Sequence, residues 1–135
     1  MKFRSAYLLL VGIFVAFLSG CVSTADVMRE KNQLDARFVY RYDIGDEWIR
    51  LASSGTVYGD CEDYAITLQE QVGGTLWIGL PVNTNSAHAF LCHGNTCVDN
   101  NSAAPFPLNP QEFEWLRRVP VEEIRRRLEI QTIRL

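Results

Sequence analysis

The sequence lacks any excess of positive charge. Lysine and arginine number 13 against 16 aspartates and glutamates, so the formal net charge is −3. The densest basic stretch, residues 125–127, is flanked by glutamates, which is typical of a solvated helix face. No nucleic-acid partner is therefore expected. Internal repeats and low-complexity tracts are also lacking, and a chain of 135 residues then predicts a single domain.

The sequence also lacks an apolar run long enough to cross a bilayer comfortably. The longest run, residues 8–18, has eleven residues, whereas a transmembrane helix needs about 20. Lys2 and Arg4 precede it, and a basic start before a short apolar core is typical of a signal peptide. We expect residues 1–20 to be that signal, with a plain membrane anchor as the alternative.

The end of this segment reads Leu18-Ser19-Gly20-Cys21 and resembles a bacterial lipoprotein signal. The resemblance implies that the mature chain begins at Cys21 with lipid on the sulfur, and several acyl chains anchor a protein durably. Val22 follows in place of an aspartate, which resembles the outer-membrane sorting pattern of enteric-type bacteria. The expected location is the periplasmic face of the envelope, on the outer membrane in preference to the inner one.

Cysteine is scarce and its number is informative. Export favours disulfides, and lipidation of Cys21 leaves three cysteines, Cys61, Cys92 and Cys97. Cys92 and Cys97 bracket a polar turn, residues 93–96, between strand-like flanks, which predicts a β-hairpin carrying a disulfide. Two reduced cysteines that face each other are the alternative. Cys61 is then the remaining free thiol.

The strongest local signal predicts a helix. Asp60 is a good N-cap, and Asp63 three residues later fits a capping box. The helix is expected to run from residue 61 to about 71 and to stop at the glycine pair 73–74.

The remaining elements are shorter, and their order fits an α+β fold better than a doubly wound parallel sheet. They are a tether with a first helix over 21–36, a strand or helix end over 37–42, a short helix over 46–52, a strand over 75–80, short helices over 111–118 and 121–128, and a terminal strand over 130–135.

The predicted hairpin aligns residues that carry chemistry. If Cys92 faces Cys97, then 90 pairs with 99 and 88 with 101, so His88 and Asp99 share a face as diagonal neighbours within reach of each other. Packing this face against the helix that begins at Cys61 places a thiol beside an imidazole that a carboxylate orients.

Each of these side chains has an expected role. Cys61 attacks a carbonyl as a thiolate, His88 holds the proton and returns it to the leaving amine, and Asp99 fixes the imidazole. The helix N-terminus and the charged imidazole are both expected to favour the thiolate. Two alternatives stay open, namely Cys61 as a buried structural cysteine and Asn100 or Asn101 as the orienting group.

Several stretches resemble the bacterial transglutaminase-like cysteine proteinases, over about residues 37 to 101. They are GDCEDYA at 59–65, HAFL at 88–91, CVDN at 97–100 and, upstream, YRYD at 40–43 and DEW at 46–48. The resemblance implies a papain-like α+β core over residues 37–135, with the nucleophile at a helix N-terminus packed on a small antiparallel sheet. It also implies a triad in the order Cys61, His88, Asp99.

The resemblance further implies calcium and a protein substrate. The best-known family members are periplasmic proteases that need calcium and trim large surface adhesins near paired alanines. The positions that match their calcium ligands are Asp60 and Glu62, with Asp63 as a further candidate. Helix capping by Asp60 and complementation of the helix dipole by the other two is the alternative. The chain departs from the family in being shorter, in its added cysteine pair and in its lipid anchor.

Together these observations predict a monomeric, membrane-tethered cysteine peptidase that cleaves a protein of the envelope or cell surface. The alternatives are a catalytically retired lipoprotein that binds an envelope protein, and an amidase that acts on cell-wall peptides.

Overall fold

The computed structural model describes residues 21–133, and this part of the chain is α+β. The predicted signal peptide lies outside the described residues. The helices are α1 (Thr24–Asp35), α2 (Cys61–Val72) and α3 (Val121–Ile133). The strands are β1 (Phe38–Tyr40), β2 (Val57–Gly59), β3 (Thr75–Pro81), β4 (His88–His93), β5 (Thr96–Val98), β6 (Phe106–Pro107) and β7 (Phe113–Val119).

The strands form two sheets of different kinds. Strands β3 to β7 form an antiparallel sheet in the order β6-β5-β4-β3-β7, while β1 and β2 form a small parallel pair. Strand β4 lies at the centre of this sheet, between β5, with which it forms a hairpin, and β3.

Helix α2 is the centre of the core, and its predicted capping box is present. Asp60 accepts hydrogen bonds from the amides of Glu62 and Asp63, and Asp63 accepts one from the amide of Asp60. The helix ends at Val72 because Gly73 adopts φ 69°, a conformation that suits glycine.

Two apolar clusters lie on either side of α2. On one side Ala65 and Ile66 pack with residues of β3, β7 and α3; on the other Tyr64 and Leu68 pack with residues of α1 and β4. The first helix therefore contributes to the core, since its Val27 and Leu34 are buried.

The predicted hairpin and its disulfide are confirmed. Cys92 pairs with Cys97 across β4 and β5, and their Cα atoms are 4.0 Å apart. The turn is tighter than predicted, because His93 also pairs with Thr96. Ladder pairing ends at Val98, so the expected pairs 90–99 and 88–101 do not form.

The predicted helix over 111–118 is wrong. A short 3₁₀ turn, Pro110–Glu112, leads directly into β7, which pairs with β3. Gly79 of β3 makes this pairing close, since a Cβ there would lie 2.6 Å from the ring of Phe113 and 2.9 Å from the side chain of Leu116. A seven-residue segment is ambiguous between helix and strand, and the open edge of β3 selects the strand.

Two further predictions need correction. Residues 46–52 form neither helix nor strand, because the amides of Ile49 and Leu51 donate to the side chains of Asp63 and Thr67 on α2 and not to a helical turn. The predicted terminal strand from residue 130 is wrong as far as Ile133, where α3 continues beyond the expected end at residue 128.

Candidate active site

The three predicted catalytic residues come from three elements that meet. Cys61 is the first residue of α2, His88 is the first residue of β4, and Asp99 follows the last residue of β5. All three line one cavity of about 400 Å³. Tyr40 and Pro81 line the same cavity. Tyr40 begins the upstream stretch that resembles the family, whereas the sequence gave no role to Pro81.

His88 and Asp99 are in direct contact. The Nε2 atom of His88 lies 2.7 Å from Oδ2 of Asp99. Burial alone would raise the pKa of Asp99, but the hydrogen bond and charge of His88, with a hydrogen bond from Ser102, hold it below its usual range. The ionised carboxylate can only accept, so Nε2 is assigned as the donor of this contact, and Nδ1 is the other nitrogen of the ring.

The other oxygen of Asp99 is also occupied. Oδ1 accepts the backbone amides of Asn101 at 3.0 Å and Ser102 at 2.7 Å. Asn100 and Asn101, the alternative orienting groups, hydrogen-bond each other through their side chains. The contact with His88 thus belongs to Asp99.

Cys61 is buried and contacts a carboxylate. Its thiol donates to Oε2 of Glu62 at 3.0 Å. Burial, then the hydrogen bond and charge of Glu62, raise the pKa of Cys61 far above its ordinary value, although a hydrogen bond from the backbone of Ala89 lowers it. The net effect on the thiol is therefore opposite to the expected stabilisation of the thiolate, because burial and Glu62 dominate.

The position of the thiol relative to His88 follows from these contacts. Ala89, which hydrogen-bonds the sulfur, is the neighbour of His88 on β4. Among the hydrogen bonds of residues 21–133, none joins Cys61 to His88. The two side chains share a cavity, and the thiol proton is held by Glu62.

Replacing Glu62 with glutamine is expected to speed alkylation of Cys61 by iodoacetamide at pH 8 by on the order of tenfold. The charge of Glu62 raises the pKa of Cys61, so its removal increases the thiolate fraction at a given pH, and one pKa unit is a factor of ten. The rate is measured by mass spectrometry, with Glu70→Gln at the far end of α2 as the control. An unchanged rate in Glu62→Gln would contradict this electrostatic role.

A cluster of carboxylates adjoins the thiol. Oxygens of Asp43, Asp60 and Asp63 lie within 4.8 Å of one another. Burial, then the charges of Asp63 and Glu62, raise the pKa of Asp60 to about 8. Burial and the charges of Asp43 and Glu62 raise the pKa of Asp63 to about 6 despite two backbone hydrogen bonds. A cation at this cluster would relieve that repulsion.

The cluster differs from the predicted calcium ligands. Asp60 belongs to it and so does Asp63, but Glu62 is turned to the thiol of Cys61. Asp43 takes the third position, and only its place in the upstream stretch that resembles the family hinted at a role. Its approach to α2 depends on the irregular loop before β2, which has no local signature.

A second cavity continues the first. It has a volume of about 430 Å³ and is lined by Asp43 and Asp60 of the acidic cluster. Both cavities are lined by Tyr40, Cys61, Ser86 and Ala87, so the sulfur lies where they meet. A groove of this form suits an extended chain that passes across the thiol.

No family model, curated protein or solved structure matches the chain. Cys21 is exposed and stands three residues before the start of α1 at Thr24. No helix within residues 21–133 combines the length and apolar character needed to span a bilayer. Lipidation of Cys21 stays a prediction.

Proposed function

We propose that the chain is a lipid-anchored cysteine peptidase that cleaves a protein of the bacterial envelope. The observation that carries the proposal is the contact of 2.7 Å between His88 and Asp99 in a cavity that Cys61 also lines. Imidazole held by a carboxylate beside a thiol at a helix N-terminus is the arrangement of nucleophilic acyl transfer. We further propose a papain-like core, because α2 packs its N-terminal thiol against β4 of the antiparallel sheet.

The roles follow from which atoms are free. Sγ of Cys61 attacks the scissile carbonyl carbon, and its proton passes to Nδ1 of His88. The imidazolium, stabilised by Asp99, then protonates the leaving amine as the carbon–nitrogen bond breaks. Water releases the acyl group by the reverse transfer of protons. Because the pKa of Cys61 is raised, the thiol reacts as a neutral group that loses its proton during attack.

The anchor determines which substrates are in reach. Only Val22 and Ser23 separate Cys21 from α1, and Ser23 caps that helix with a complete capping box. A lipid at Cys21 would therefore hold the domain against the membrane surface. We propose the periplasmic face of the outer membrane, a monomeric enzyme and a protein substrate near that surface.

A peptide-library cleavage profile tests the proposal. The purified wild-type protein is expected to cut a subset of peptides, and Cys61→Ala is expected to cut none. Muropeptides included in the same assay distinguish a peptidase from a cell-wall amidase. Cleavage that persists in Cys61→Ala, or the absence of any cleavage by the wild type, would contradict the proposal.

One observation favours a second candidate, a retired enzyme fold that binds an envelope protein. The thiol donates to Glu62 and not to His88, and its pKa is raised. In a binding protein the Cys61 thiol would react no differently when His88 is removed, whereas in the enzyme it would.

We propose Ca²⁺ as the cation that Asp43, Asp60 and Asp63 hold. Carboxylate oxygens are the ligands that Ca²⁺ prefers. Burial first, and then the charges of neighbouring carboxylates, raise the pKa values of Asp60 and Asp63, and a bound cation would oppose both effects. Of the two carboxylate oxygens of Asp60, only Oδ1 accepts the amides of Glu62 and Asp63 at the start of α2. The ion would supply positive charge beside the start of α2.

Adding Ca²⁺ to chelator-treated protein is expected to raise the melting temperature by about 5 °C or more. An ion at 100 times its Kd contributes about 2.7 kcal/mol, and 1 kcal/mol shifts a small domain by a few degrees. Asp43→Asn is expected to remove the shift, while Asp46→Asn, on the same loop but outside the cluster, is expected to keep it. An unchanged melting temperature in the wild type would exclude this site.

A further inference from the structure

Lys31 of α1 is a lysine whose side chain is buried in the core and does not face solvent. Its side chain is 1% exposed, and Nζ donates three hydrogen bonds. The acceptors are Oδ2 of Asp35 at 2.8 Å, the hydroxyl of Tyr64 at 3.3 Å and the backbone carbonyl of Asp99 at 2.8 Å. A lysine is almost never fully buried unless its ammonium is paired in this way.

The three acceptors belong to three different segments of the chain, and of these three residues Asp99 alone lines the site. Asp35 ends α1, Tyr64 lies one turn after Cys61 on α2, and Asp99 carries the carboxylate that contacts His88. The hydroxyl of Tyr64 in turn donates to Asp35. The network therefore ties the nucleophile helix and the Asp99 turn to one ammonium group.

The backbone carbonyl of Asp99 lies beyond the end of the sheet ladder and is held by Lys31. Strand β5 ends at Val98, so the carbonyl of Asp99 has no ladder partner in the described sheet and accepts from Lys31 instead. The side chain is fixed separately by Asn101, Ser102 and His88. Lys31 thus sets where the turn lies, and the turn sets where the carboxylate meets the imidazole.

We propose that Lys31 is a positioning residue of the active site, which holds the main chain of Asp99 so that its carboxylate stays on His88. The inference rests on the proposed function and deepens it. It makes α1, the helix that follows the predicted lipid anchor, a part of the catalytic apparatus as well as a tether. Lys31 touches neither substrate nor reacting atoms, and it acts through Asp99.

Lys31→Met in the full-length protein is the test. We expect kcat on the library-selected peptide to fall about 10- to 100-fold with little change in KM, because a misplacement of about 1 Å suffices for such a loss. We also expect the downfield proton resonance of the Nε2–H that His88 donates to Asp99 to move or vanish. A purely structural role would lower the melting temperature without either effect.

Two matched variants sharpen the test. Tyr64→Phe removes a hydroxyl from the same network but keeps the bond from Lys31 to Asp99, so kcat and the resonance are expected to stay near wild type. Lys31→Arg keeps a cationic donor and is expected to recover part of the lost kcat. If Lys31→Met does not fold, Lys31→Gln, which retains a polar head in the buried site, is measured for the same two effects.

The outcomes separate the inference from the proposed function. Unchanged kcat and an unchanged resonance in a folded Lys31 variant would overturn the positioning role while leaving the peptidase intact. A wild-type protein that cleaves no peptide would remove the peptidase, and the resonance would still decide whether Lys31 holds Asp99 on His88.

Discussion

His88→Ala is expected to cleave the library-selected peptide about 1,000-fold more slowly than the wild type. The Cys61 thiol is held neutral by burial and by Glu62, so attack requires a base, and His88 is the imidazole in its cavity. General acid–base catalysis by a placed side chain contributes about 100- to 10,000-fold. The loss is expected mainly in kcat, since binding along the groove does not need the imidazole.

The chain supplies its own control. It has only two histidines, and His93 lies at the other end of the same strand, beside the hairpin turn. His93→Ala is expected to keep kcat within about threefold of wild type, because His93 lies at the opposite end of β4 from His88 and lines neither cavity beside Cys61. Equal losses in the two variants would show that the effect is structural, and no loss in His88→Ala would contradict a catalytic His88.

Phe90→Ala is expected to lower the free energy of unfolding by about 3–5 kcal/mol. Phe90 is fully buried at 0% exposure and lies between the rings of Phe106 and Phe113, with centroids 5.9 and 5.4 Å away. It also supports His88, whose ring stacks on it at 6.1 Å. A domain of this size is stable by about 5–15 kcal/mol, so the variant is expected to be partly unfolded at 37 °C.

Urea denaturation measures this loss, with Trp115→Ala as the matched aromatic control. Trp115 lies on β7 of the same sheet but is 44% exposed, so its loss is expected to cost about 1 kcal/mol or less. A similar small cost for Phe90→Ala would mean that the packed rings of Phe90, Phe106 and Phe113 do not support the site.

The elements that sequence reasoning predicted are those with local signals. The capping box at Asp60 and the glycine pair at 73–74 locate α2, and Pro81 closes β3. The spacing of Cys92 and Cys97 gives the hairpin, and its register brings His88 to Asp99 even though the ladder stops before Asp99.

The features that the sequence did not predict depend on contacts between residues that lie far apart in the chain. Strand β7 depends on the open edge of β3 and on Gly79, 34 residues before Phe113 in the chain. Asp43 reaches the acidic cluster through an irregular loop. Lys31 joins the site across a separation of 68 residues from Asp99. No short pattern encodes such contacts, because they form only when the core assembles.

The contact between Glu62 and the Cys61 thiol also could not be predicted from the sequence. A glutamate at the first turn complements the helix dipole on any prediction, and its alternative contact with the neighbouring thiol depends on a rotamer. Burial is the largest cause of the raised pKa of Cys61, and this contact with Glu62 raises it further. In this structure Glu62 therefore accepts the hydrogen bond of the neutral thiol.

The most direct test of the proposed unit of thiol, imidazole and carboxylate is the rate at which iodoacetamide alkylates Cys61 at pH 7. This rate is compared between wild type, His88→Ala and His93→Ala. It needs no substrate, and the thiols of Cys92 and Cys97 are consumed in the disulfide. We predict that the wild type and His93→Ala react at least about tenfold faster than His88→Ala, because the imidazole takes the thiol proton. Equal rates in all three proteins would contradict the account and leave a binding lipoprotein in its place.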